Sequence, residues 1–241
     1  MAFNFNENKM TMNSAVGVRG AEYDEGLRQY MLGVYNYMTI GLAITGFVAF
    51  GAAQSTTIMS AIFGTPLKWV VMLAPLAFIF LFMAKLETMK SSTAQIVFWA
   101  FAAVMGLSLS SIFLTYTGAS IARVFFITAG TFAAMSLYGY TTKRDLTAIG
   151  SFLMMGLIGI IIASVVNIFI ASSALQFVIS VVGVLVFVGL TAYDTQRIKS
   201  MYDAVDNSEI AGKKAIMGAL TLYLDFINLF IMLLSLFGNR D

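Results

Sequence analysis

Seven apolar stretches, each long enough to cross a lipid bilayer, recur along this 241-residue chain and dominate what it can fold into. A crossing of the ~30 Å hydrocarbon core takes about 20 apolar residues in a helix. Inside lipid the backbone amides and carbonyls must be paired by the protein itself, which leaves helices or closed barrels, and runs of this length select helices. Apolar length predicts spans over Tyr30–Ala53, Leu67–Ala84, Ala94–Tyr116, Ser120–Tyr138, Ile149–Ile170, Ala174–Asp194 and Ala215–Phe237. Only 11% of the residues are charged, against roughly 25% in a soluble domain, and the mean hydropathy is +0.87. The expected fold class is an all-α integral membrane protein with seven transmembrane helices, occupying residues 28–238.

The gaps after the third and fifth spans are very short, so those pairs are expected to form tight helical hairpins. Basic residues then orient the chain. Lys9, Arg19, Arg28, Lys85, Lys90, Lys143, Arg144, Arg197, Lys199, Lys213 and Lys214 fall on one side. The other side holds only Lys68, Arg123 and Arg240. The positive-inside bias puts the amino terminus in the cytoplasm and the carboxyl terminus outside. Residues 1–27 are Asn-rich and mixed in charge, with no short apolar region and cleavage site. They are expected to form a flexible cytoplasmic tail.

Several kinds of chemistry are excluded. A net charge of +2 without a basic stripe does not suit nucleic acid. The chain has no cysteine, hence no disulfide or thiolate site, and no histidine. Any pH sensing therefore falls on carboxylates. No nucleotide-binding glycine loop, zinc-protease motif or serine nucleophile elbow is present, and methionines scattered through apolar runs suit core packing better than copper. An intramembrane aspartyl protease would need two aspartates. Tyr193-Asp194 matches such a site weakly, and Leu224-Asp225 lacks the glycine. Neither catalysis nor a resident cofactor is expected.

Asp225 is the only acidic residue well inside an apolar run. A charge there costs from about 2.5 kcal/mol upward and usually faces a protein interior on an ion or proton path. Thr221 and Asn228 share its helical face, and Gly218 and Ser235 continue the stripe. Either this face lines a narrow hydrated path or it is a packing seam of small and polar residues; the carboxylate favours the path. Asp194 ends the sixth span one turn after Thr191. It is either a boundary residue paired with Arg197 or the second member of a carboxylate site. Two close carboxyls in a low-dielectric site resist double ionisation and share a proton. Ionised, they offer hard oxygens to a cation such as calcium. Competition between proton and cation makes a pH-gated leak.

The register is the difficulty. At 1.5 Å per residue, Asp225 lies roughly 15 Å from Ala215, whereas Asp194 sits at the span boundary. They meet only if the sixth helix continues past Arg197 or the seventh starts further out, and Thr195–Lys214 reads as a polar cytoplasmic loop or an extension of the sixth helix. Lys85, ending the second span, is a candidate partner for either aspartate or a snorkelling boundary lysine. Glu87 reads as a loop charge. Asn167 reads as a polar residue deep in the fifth span making an interhelical hydrogen bond. Pro75 is a candidate kink in the second span.

Tyr193-Asp194-Thr195-Gln196-Arg197-Ile198 and Leu222-Tyr223-Leu224-Asp225-Phe226-Ile227-Asn228-Leu229-Phe230 together resemble the paired signature of the transmembrane Bax inhibitor motif family. Tyr138-Gly139-Tyr140-Thr141-Thr142-Lys143-Arg144-Asp145-Leu146 is similar to its bacterial branch. The resemblance covers about residues 28–238. It implies six helices in two three-helix layers around a central seventh, in a bacterial inner membrane. It also implies a proton-sensitive calcium leak, with Asp194 and Asp225 hydrogen-bonded as pH sensor, gate and transient calcium ligands. Thr191, Thr221 and Asn228 would line or support the path, and Lys85 is the nearest match to a basic partner on the second helix. Expected partners are the bilayer and calcium ions. Some bacterial relatives resemble modulators of a membrane-bound ATP-dependent protease, so a stress-response interaction protein is the alternative, with the tail as the contact.

Overall fold

The computed structural model describes residues 5–86 and 88–239, with side chains from Tyr23 onward. Its helices are α1 (Phe5–Ala53), α2 (Thr56–Phe63), α3 (Leu67–Lys85), α4 (Ser91–Leu109), α5 (Gly118–Thr141), α6 (Thr147–Ile170), α7 (Ser173–Ser200) and α8 (Ser208–Phe237). A 3-10 turn, Ser110–Leu114, continues α4. All but α2 are long and apolar enough to cross a membrane, α1 over Tyr23–Ala53. The expected seven spans are therefore present, and the protein is an integral membrane protein. Most of the tail expected over residues 1–27, with Lys9 and Arg19, has side chains outside the described residues, as do Glu87 and Arg240.

Polar residues at the ends of apolar runs set where helices begin. Thr117, Ser172 and Asn207 each turn a side-chain oxygen onto an amide of the first turn, starting α5, α7 and α8. The two short gaps are tight connections, as their length implies. Between α6 and α7 the chain turns at Ala171, whose φ of 52° is left-handed, a conformation that usually selects glycine. Asn167 holds this turn: its Oδ1 accepts from the Ser172 amide at 3.0 Å, and its Nδ2 donates to Gln176 Oε1 at 3.3 Å. Asn167 is thus not deep in a span but in the last turn of α6, where it braces a hairpin. Helix α3 runs through Pro75 without interruption.

The polar stretch Thr195–Lys214 is not a loop throughout. Helix α7 continues to Ser200 and α8 begins at Ser208, leaving only 201–207 between them. That short segment is anchored at both edges. Tyr202 packs against Tyr23 and Tyr30 of α1, with ring centroids 5.2 and 5.7 Å apart, and Lys214 forms an ion pair with Asp206. At the same end the Ser91 amide at the start of α4 donates to Glu209. At the opposite end the Thr117 amide donates to Asn239 O at 3.1 Å, and the Asn239 amide to Ser120 Oγ at 2.9 Å.

Helix α8 carries the densest buried face and packs against α1, α4, α5 and α7. Helix α3 packs mainly on α4, and α6 on α7. Those two outer helices turn large apolar side chains outward, as in Phe80 and Phe169, which are 73% and 84% exposed. In water such faces would be unstable, but lipid solvates them without penalty. Around α8, Tyr223 is fully buried between Phe98 and Phe101 of α4, edge-on to both. Its hydroxyl lies 2.6 Å from Thr45 Oγ1 of α1, and Thr45 in turn donates to Ala102 O at 2.8 Å. One polar chain thereby joins α1, α4 and α8 inside the apolar core.

Candidate functional site

Lengthening α7 and α8 solves the register problem. With both helices extended towards their shared connection, Asp194 of α7 and Asp225 of α8 come side by side. Their carboxyls lie within hydrogen-bonding contact of each other. Both are buried, at 6% and 5% exposure, and Asp225 Oδ2 has no hydrogen-bond partner among the described residues. An isolated carboxylate so placed would cost several kcal/mol. A proton shared between the two removes one charge and supplies one donor.

The pair sits in a seam built from small residues. Gly218 lies against Ile198, where an added Cβ would approach Cγ2 to 2.9 Å, and Gly183 lies against Met232, where it would approach Sδ to 2.8 Å. Ser235 Oγ accepts from Ser180 Oγ at 2.9 Å. Positions 218, 225 and 232 recur every seven residues, the period that keeps one helix face on an antiparallel neighbour. The carboxyls thus occupy the interface between the helices and do not face lipid.

The surrounding candidates fall into place unevenly. Thr191 is fully buried one turn from Asp194, donating to Phe187 O at 2.8 Å while its own carbonyl accepts from Thr195 at 2.7 Å. Thr221 and Asn228 flank Asp225, but each bonds back to its own helix, to Met217 O at 3.1 Å and Leu224 O at 2.8 Å. Lys85 is not brought to the pair: it is exposed at the end of α3, and α4 lies between that helix and α8. The basic residue that does reach the site is Arg197, 3.8 Å from Asp194 Oδ1 and half-exposed.

Sequence reasoning missed a second polar chain at this level. Tyr35 Oη lies 2.6 Å from Ser136 Oγ, and Ser136 Oγ lies 2.9 Å from Thr195 Oγ1. It ties α1, α5 and α7 together next to Asp194. The only sequence signal is that Thr191 and Thr195 bracket Asp194 at helical spacing. No group of three or more metal-ligating side chains occurs among the described residues. Two carboxyls fall short of the six to eight oxygens that calcium takes.

With this geometry in hand, comparison with known proteins is specific. The profile of the family described as "Inhibitor of apoptosis-promoting Bax1" matches residues 27–241. The chain is 53% identical over 218 residues to the uncharacterized protein RP147 of Rickettsia prowazekii, covering 90% of this chain and 92% of that one. It is 50% identical over 218 residues to the inner membrane protein YbhL of Escherichia coli, covering 89% and 93%. An uncharacterized protein of Borreliella burgdorferi is 45% identical over 214 residues, covering 88% and 92%.

Proposed function

The chain belongs to the family of inhibitors of apoptosis-promoting Bax1, and from that premise we propose that it is a pH-sensitive calcium leak gated by Asp194 and Asp225. The observation that carries this reading is the carboxyl–carboxyl contact between two buried aspartates on adjacent helices. While one proton is shared, the pair attracts and holds α7 to α8. When that proton leaves, two charges ~4 Å apart repel by about 4 kcal/mol at an effective dielectric near 20. That is enough to push the helix ends apart and to free oxygens for a cation. Flux therefore rises with pH as the proton is lost. The pair positions a proton and a passing ion, and no covalent chemistry is assigned to it.

Three further features belong to this reading. The contacts of α8 with α1 and α4 on one side and α5 and α7 on the other support two three-helix layers, α1–α3–α4 and α5–α6–α7, around a central α8. The basic residues at one end support an amino terminus and a mouth of the pair on the cytoplasmic side. A bacterial inner membrane is the setting, in keeping with the name of the Escherichia coli relative.

The test is calcium entry into dye-loaded proteoliposomes between about pH 5 and 8. Wild type should conduct more at the higher pH. In Asp225→Asn the amide still donates to Asp194 but has no proton to lose, so the pH dependence should flatten. Asp194→Asn should do the same. Unchanged pH curves in both variants would remove the aspartate pair from the mechanism. No flux above empty liposomes with folded protein would leave the protease-modulator alternative, whose test is deletion of residues 1–27.

A further inference from the structure

Where the α5–α6 connection meets the last two turns of α7, a polar pocket of about 350 Å³ opens at the basic end of the molecule. Its wall is held by one side chain. Gln196 Oε1 accepts from the Leu146 amide at 2.9 Å, and its Nε2 donates to Arg144 O at 2.8 Å. The loop backbone is thus clamped to α7 while its cationic side chains are left exposed. Neither Lys143 nor Arg144 forms an ion pair among the described residues. Arg197 completes the cationic lining, and its one ion pair, to Asp194, is long at 3.8 Å. The single acidic lining residue, Asp145, is already engaged, accepting from the Thr147 amide at 2.8 Å at the start of α6.

Basic residues at this membrane face follow from orientation alone. A concave site lined by three cations and a single carboxylate goes further, because its positive charge is only partly compensated. Guanidinium forks match the oxygens of a phosphate group better than those of chloride.

We propose that this pocket binds a phosphate-bearing anion, held by Lys143, Arg144 and Arg197. Binding draws Arg197 away from Asp194, because a phosphate competes for the same guanidinium. The pocket is then an input to the aspartate pair, and that coupling, unlike the binding, rests on the leak reading. The shared chemistry has two sources, an anionic lipid headgroup and a free phosphate in the aqueous phase.

The experiment uses the full chain in lipid nanodiscs and reads thermal stability. One arm titrates inorganic phosphate into neutral phosphatidylcholine discs at constant ionic strength. The other replaces a fraction of the phosphatidylcholine by phosphatidylglycerol. Stabilisation in the first arm identifies a free phosphate, and stabilisation in the second alone identifies a headgroup. In Lys143→Gln/Arg144→Gln the titration midpoint should weaken roughly tenfold for each charge-assisted bond lost. No stabilisation in either arm, or equal stabilisation of wild type and double variant, overturns the site. Calcium flux in the same lipids separates the two ideas. Binding with no leak at any pH overturns the leak reading and leaves the pocket standing. Binding with a leak whose pH curve does not shift overturns the coupling.

Discussion

Asp145 and Asp225 show how the same carboxyl group is used in opposite ways at the scale of one residue. Asp225 is buried against a second carboxyl, and in the proposed leak its protonation decides whether two helices attract or repel. Asp145 is exposed, outside the spans, and carries its charge comfortably: hydrogen bonds from the Thr147 side chain and amide hold it below the ordinary carboxylate value of 3.8. A lowered folded-state value means that its contribution is complete above the unfolded-state value and is lost as pH falls through the folded one. Wild type should accordingly be more stable than Asp145→Ala at neutral pH, and the difference should shrink as pH falls through the lowered folded-state value. Melting curves of both proteins at neutral and acid pH check this, and a gap independent of pH would refute it.

At the scale of the element, close approach between helices rests on a few glycines. A Cβ at Gly139 of α5 would collide with the Ala192 carbonyl of α7, whereas one at Gly130 of the same helix meets nothing within 4 Å. Gly139→Ala should lower the melting temperature, by an overpacking cost of about 1–3 kcal/mol. Gly130→Ala should leave it unchanged or raise it, since alanine is the better helix former by about 1 kcal/mol. Equal effects at both sites would mean that α5 does not pack on α7 as described.

The helices themselves are legible in the sequence because lipid demands long apolar runs, and Asp225 stands out against one. The ends of α7 and α8 are not. Gln196, Arg197, Lys199, Glu209 and Lys213 continue the helices in polar turns, and hydropathy cannot distinguish such turns from a loop. The end of α6 at Ile170 is legible, but not that Asn167, three residues before it, turns its side chain onto the Ser172 amide of the next connection. Which of the two readings of Lys85 holds is not legible either, because spacing along the chain says nothing of which helix stands between it and α8. Hydroxyl pairs such as Tyr35–Ser136, 101 positions apart, exist only after packing.

For the whole molecule, orientation is the property on which ion flow and pocket access both depend. The chain lacks cysteine, so single introduced thiols report topology without background. Lys90→Cys should react with a membrane-impermeant maleimide only from the cytoplasmic side, and Lys68→Cys only from the opposite one. The reverse pattern would put the mouth of the aspartate pair and the phosphate pocket on the outer side.

The most buried helix is also the last to be made. The four helices that α8 packs against are synthesised before it, and its own 30 residues need roughly two to six seconds at a ribosome's ~5–20 residues per second. During that interval Thr45, Phe98 and Asp194, which contact Tyr223 and Asp225 of α8 in the finished molecule, lack those partners. A chain stopped at residue 207 should be cleared rapidly by quality-control proteolysis, measurable by pulse-chase. Supplying α8 as a separate peptide should rescue it. Late arrival of α8 also means that the aspartate pair cannot form before the other six spans are made, so an immature chain lacks the pair.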